Sequence, residues 1–205
     1  MPVFAALTAE APRLLDVWLR QLGVKLERRG PAFEQHVRTE LANLIARSAL
    51  RPISQVLAQA VVFKPPHDRE EEIDVVLRIG DSIVICEAKC ILSPAEAEQT
   101  ARHRGTVIEA ADQVTRKAAA VSAHKAAFAA LLTQKGIQVP PDFHVLPLVI
   151  INSAIHAGFP VKGVPIVDEH ILRVFFNGQF TDTISENNHA RDVAVYRVYQ
   201  TVAEA

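Results

Sequence analysis

The sequence predicts a mixed α/β domain in which a central mixed β-sheet is flanked by helices. Three observations carry this reading. Apolar residues recur at helical spacing in the first fifty residues and again after residue 93, β-rich runs lie between them, and two of those runs flank a two-residue Gly80-Asp81 loop. At 205 residues the chain has the length of one domain, and 49% apolar residues can fill one sizeable core. A formal net charge of -1 with that hydrophobicity excludes wholesale disorder and a polybasic nucleic-acid coat. The sequence contains no apolar run of the roughly 18 residues that a membrane span needs, and no basic segment ahead of an apolar stretch. Two cysteines, Cys86 and Cys90, make no disulfide framework, so a reducing, cytoplasmic setting is expected.

The elements follow in order. Leu14, Leu15, Val17, Trp18, Leu19 and Leu22 predict a helix within residues 8–22, stopped by Gly23. Phe33, Val37, Leu41, Leu44 and Ile45 predict a second, between Gly30-Pro31 and Pro52. Residues 25–51 hold six basic and three acidic side chains, a locally positive stretch. Ala60 to Phe63 reads as a short strand closed by Pro65-Pro66. Ile73 to Ile79 and Ser82 to Lys89 then read as a tight hairpin. Ser93-Pro94-Ala95-Glu96 has capping-box spacing and opens a long Ala-rich helical region toward Gly136, with a possible break at Gly105. Val145 to Ile151, Val164 to Val167 and Ile171 to Phe176 suggest strands, and the segment from Asn188 reads as a closing helix. The expected organisation is one domain over 1–205. It comprises a helical extension (1–29), a core (30–152) and C-terminal strand and helix elements (153–205).

The two-residue loop sets a register. Ile79 faces Ser82, so Val75 faces Cys86, Asp74 faces Glu87 and Glu72 faces Lys89. Asp74, Glu87 and Lys89 then crowd one face at the open end of the hairpin, beyond apolar Val76, Ile83 and Ile85. Ile73, Val75, Leu77, Val84 and Cys86 share the other face. Two opposed carboxylates destabilise a strand pair unless something compensates. Two compensations fit. One is a hard divalent cation, Mg²⁺ or Mn²⁺, and the other is Lys89 bridging both acids in a plain ion network.

Asp74, then twelve residues, then Glu87-Ala88-Lys89 resembles the PD-(D/E)xK nuclease superfamily, with Ile73-Asp74 standing where the family has Pro-Asp. The resemblance runs from about Gly30 to Asn152 and implies a restriction-endonuclease-like core. It implies metal-dependent phosphodiester hydrolysis, with DNA the leading substrate. Asp74, Glu87, the Ala88 carbonyl and Glu34 of the upstream helix are the implied metal ligands. Lys89 is the implied catalytic lysine, acting on the attacking water and the phosphate. Gln113 and Lys117, four apart on one helical face, resemble the basic and amide residues of the family's post-core helix, and Gln113 joins the implied site. A second copy or a separate specificity subunit is a further expected partner, because the sequence shows no zinc finger or helix-turn-helix. Two other readings stay open: a nuclease-like fold serving non-catalytic binding or assembly, and an unrelated α/β domain with a salt-bridge network.

Other candidates have plainer readings. Arg102, His103 and Arg104 read as a solvated helix face, as do Lys25, Arg28 and Arg29 unless they rim a phosphate site near Glu34. Cys86 and Phe175-Phe176 read as core.

Overall fold

The computed structural model describes residues 29–65, 67–91, 97–186, 189–202, 204 and 205. The expected helix within 8–22, the basic residues Lys25 and Arg28, and the capping box at 93–96 lie outside these. Helix α1 (Arg29–Arg47) leads into strands β1 (Ser54–Val56), β2 (Val61–Phe63), β3 (Glu71–Ile73), β4 (Val75–Ile79) and β5 (Ser82–Lys89). Helices α2 (Ala97–Ala123) and α3 (Lys125–Gln134) follow, then β6 (His144–Ile151), β7 (Ile166–Val167), α4 (Glu169–Asn177), β8 (Gln179–Glu186) and β9 (His189–Arg197).

A five-stranded sheet has the order β1-β4-β5-β6-β7. Its β1, β4 and β5 are antiparallel, whereas β6 and β7 run parallel to β5, so the sheet is mixed. The β4–β5 hairpin has the expected register, Ile79 opposite Ser82 through Val75 opposite Cys86. Gly80 permits it: its φ of +60° is the conformation that the first position of such a two-residue turn needs. Strand alternation then divides the core. Val76, Ile83, Ile85, Val149 and Ile151 pack beneath α2 and α3 with Val107, Val114, Val121 and Phe128. Val75, Leu77, Val84, Cys86 and Ile150 pack beneath α1 and α4 with Val37, Leu41, Leu172 and Phe176. Each such fully buried side chain contributes roughly 1.5–3 kcal/mol, and both faces of β5 are covered, which is why it reads as a continuous apolar run. Among the described residues, no helix is long and apolar enough to cross a membrane.

Three expectations are corrected. The long helix passes through Gly105 without interruption and breaks instead at His124, between α2 and α3. Residues 171–176 are helical. Asp168 caps α4 by accepting from the Ile171 N–H at 2.9 Å, Gly178 stops it in a left-handed conformation, and Leu172 and Phe176, one turn apart, enter the core. The last segment is strand β9, paired with β8 in a separate two-stranded sheet. The β8 run, which carries Thr181, Thr183 and Ile184, starts directly after the Gly178 stop and gives the segment a β partner.

Candidate active site

Asp74 and Glu87 approach each other by a route the register did not foresee. The β4–β5 ladder ends at Val75 opposite Cys86, and Asp74 occupies a bend between β3 and β4. β3 turns away to pair with β2, setting Glu72 opposite Val62 rather than Lys89. The bend reverses the alternation, so Ile73 joins the core of Val76 and Ile85 instead of that of Val75 and Cys86. The expected ladder pairs Asp74–Glu87 and Glu72–Lys89 therefore do not form.

The bend nonetheless delivers the Asp74 side chain to the end of β5. Its Oδ2 accepts from the Ala88 backbone N–H at 2.9 Å, and its Oδ1 lies 3.4 Å from Lys117 Nζ. The same ammonium donates to Glu87 Oε2 at 2.5 Å. Lys89 takes the other oxygen of that carboxylate, with Nζ 2.6 Å from Oε1. The side chain that bridges both acids is thus Lys117, from the middle of α2, and Lys89 pairs with Glu87. Glu87 and Lys117 are buried, while the Lys89 side chain keeps 31% of its surface exposed, so Lys89 is the lysine that faces outward from the pair.

The electrostatics follow from burial. Desolvation raises the Asp74 carboxyl above its usual range, and Glu87 adds to this; Lys117, the Ala88 N–H and Lys89 oppose it. Burial works against the Lys117 ammonium, but Asp74 and Glu87 outweigh it and hold its pKa above the ordinary lysine value. Glu34, in the first turns of α1, is raised chiefly by its own burial and next by Asp74, with Arg38 opposing and Glu72 and Glu87 contributing. Glu34 therefore lies within electrostatic reach of the acidic pair, while Val37 and Leu41 of its helix are in the core and Phe33 packs against it.

Two residues that sequence reasoning passed over complete the arrangement. The buried Arg38 donates to the Asp74 backbone carbonyl at 2.7 Å and lies 3.9 Å from Glu34. It satisfies a carbonyl in the bend, outside the β4–β5 ladder, and couples α1 to the acid. Its signal was the four-residue spacing from Glu34. Arg116 grips buried Glu71 through two bonds, Nε to Oε1 at 2.7 Å and a terminal nitrogen to Oε2 at 3.1 Å, fastening β3 to α2 beside the bend. Gln113 is half-buried one turn before Lys117 on the same helical face, and among the described residues no hydrogen bond joins its side chain to the carboxylates. Cys86 is buried, as expected, and burial raises its thiol pKa. His103 contradicts the solvated-face reading: it is 2% exposed, although Arg102 and Arg104 beside it are exposed.

The donor set suits a hard cation within limits. Two carboxylates converge on one ammonium ion, and Mg²⁺ is commonly held by one or two carboxylates with water and substrate oxygens completing its shell. Among the described residues, no group of three or more His, Cys, Asp or Glu could hold a metal ion, so such an ion would lean on backbone oxygen and water. A cavity of about 650 Å³ lies at the other end of the hairpin, around Ile79, Val84, Leu146, Leu148 and Phe175. It is apolar and brings no titratable cluster together.

The chain matches no family model, no curated protein and no solved structure.

Proposed function

We propose that this protein is a metal-dependent phosphodiesterase of the PD-(D/E)xK type, with a restriction-endonuclease-like core and DNA as its substrate. The observation that carries this reading is the convergence of Asp74 and Glu87 on a single cationic position, with the more exposed Lys89 on the outer oxygen of Glu87. Asp74 and Glu87 are the carboxylates that would hold Mg²⁺ or Mn²⁺, with the Ala88 carbonyl and water completing the shell and Glu34 reaching it through water. The ion supplies Lewis-acid stabilisation and a water of lowered pKa. Lys89 would orient the attacking water and neutralise charge on the phosphate oxygens, a role that a partly exposed ammonium can fill. The Ala88 N–H keeps Asp74 Oδ2 occupied and leaves Oδ1 to face Lys117 Nζ, the group it shares with Glu87. Lys117 Nζ now occupies the position between the two carboxylates that the cation would take.

Purified protein with Mg²⁺ or Mn²⁺ should nick or degrade duplex DNA, a chelator should stop it, and Glu87→Gln should abolish it. Protein inert on duplex DNA, single-stranded DNA and RNA with either metal, alone and with candidate partner subunits, defeats this reading. One observation favours a second: Lys117 bridges both acids and Lys89 adds a second positive charge at Glu87, so the charges of the cluster already balance. A non-catalytic nucleic-acid-binding or assembly module would use the same cluster purely as an ion network, and it would show no Mn²⁺-dependent change in stability.

A further inference from the structure

The buried His103 of α2 has an aromatic neighbour in His156, on the loop between β6 and β7. Their ring centroids lie 5.1 Å apart, with planes inclined at 48°. Both ring nitrogens of His103 and Nε2 of His156 are buried without a hydrogen-bond partner. A buried imidazole ordinarily satisfies at least one nitrogen with protein, water or metal. His156 also holds a left-handed backbone, with φ of +71°, which is uncommon for a residue with a side chain.

We propose that His103 and His156 form a binding site for a divalent transition-metal ion of the imidazole-seeking class, Zn²⁺, Co²⁺, Ni²⁺ or Cu²⁺. The spacing of the two rings admits such an ion. Two imidazoles on one tetrahedral ion, with metal–nitrogen bonds of about 2.0 Å, put their ring centres roughly 5.2 Å apart. A single water bridging the two nitrogens would put the centres roughly 6.5 Å apart. A direct nitrogen–nitrogen hydrogen bond is absent, because neither nitrogen of His103 has a partner. The observed 5.1 Å fits the shared ion and is also an ordinary ring-contact distance; the three buried, unpartnered nitrogens are what point to an ion.

Among the described residues, no third His, Cys, Asp or Glu joins the pair, so water would have to complete the shell of the ion. Imidazole nitrogen selects this class over Mg²⁺ and Mn²⁺, which prefer oxygen. The site is distinct from the acidic pair: His103 precedes Lys117 by fourteen residues of continuous helix, about 21 Å along its axis. Its effect is a clamp between α2 and the β6–β7 loop, two elements that the exposed Lys162–Asp112 pair at 2.7 Å also joins. This proposal stands independently of the nuclease reading.

The test is a Co²⁺ titration of the full chain, read by visible absorption, with Zn²⁺-dependent thermal shift as the second readout. The wild type should bind at least one equivalent and melt higher with Zn²⁺. His156→Ala, a change on a loop, should weaken binding at least tenfold, and His103→Leu should do the same. A variant carrying Asp74→Asn and Glu87→Gln should keep wild-type affinity, which shows that the ion is not at the acidic pair. Binding unchanged in His156→Ala, or no Co²⁺ absorption and no Zn²⁺ shift in the wild type, overturns the proposal. If His103→Leu fails to fold, His156→Ala alone decides.

Discussion

Lys117 donates to Glu87 Oε2 at 2.5 Å, from a helix thirty residues further along the chain. With Asp74 as its second partner, this buried ammonium balances two carboxylates that would otherwise repel each other in a region of low dielectric. Removing one member of a buried ion group strands the rest, at about 3–5 kcal/mol. Lys117→Met should therefore lower unfolding stability by about that much in metal-free buffer, measured by urea denaturation. Adding Glu87→Gln to Lys117→Met should recover a substantial part of the loss, because the repelling charge is gone. A Lys117→Met variant as stable as the parent would show that the ammonium is not what balances the acids.

Lys89 should behave in the opposite way. Among the described residues its ion-pair partner is Glu87, its side chain is partly exposed, and Glu87 keeps Lys117 when Lys89 is removed. Lys89→Ala should cost less than about 1 kcal/mol of stability, in the range of exposed ion pairs. Under the proposed nuclease reading, turnover on DNA should nonetheless fall by two or more orders of magnitude, because the ammonium would act in the transition state. A stable Lys89→Ala variant that cleaves DNA like the parent removes this lysine from the mechanism.

Glu71 gives a pH dependence. The hydrogen bonds from Arg116 hold its carboxyl below the usual range, against the opposing effect of burial. A depressed folded-state pKa means that the stabilisation is present above the unfolded value, 4.5, and is lost as pH falls through the folded value. Denaturation midpoints should fall on acidification below about pH 4.5. Glu71→Gln should be less stable than the parent at pH 7, and the gap should close in acid. A gap that stays constant from pH 7 to pH 3 would contradict this assignment.

The hairpin was legible because β-rich runs flank a Gly-Asp loop, and that register put Asp74, Glu87 and Lys89 at one end. The bend at Asp74 was not legible, because Glu71, Glu72 and Ile73 continue the strand pattern while pairing with a different strand. Lys117 showed only as a helical neighbour of Gln113, since nothing local marks which turn of a long helix meets β5. α4 was misread because Ile171-Leu172 and Val174-Phe175-Phe176 form short apolar runs that fit strand and helix alike. His103 was hidden by its neighbours: residues one apart on a helix point to different faces, so two exposed arginines say little about the histidine between them.

Asp74→Asn separates the metal reading from the ion-network reading. In metal-free protein the ionised Asp74 is opposed by its burial and by Glu87. Asparagine removes the charge while its amide oxygen can still accept from the Ala88 N–H. Lys117 keeps Glu87, its nearer partner. The variant should thus melt slightly higher than the parent without metal. A ligand that binds only the folded state raises its stability with concentration. Mn²⁺ should accordingly raise the parent's melting temperature, and Asp74→Asn should lose most of that increment while keeping its metal-free gain. The order of the two proteins then reverses on adding Mn²⁺. In a pure ion network Mn²⁺ moves neither protein, and the order set by charge relief persists. Equal Mn²⁺ shifts in both would place the ion away from Asp74, and the His103–His156 variants would show whether that ion had gone to the imidazole pair instead.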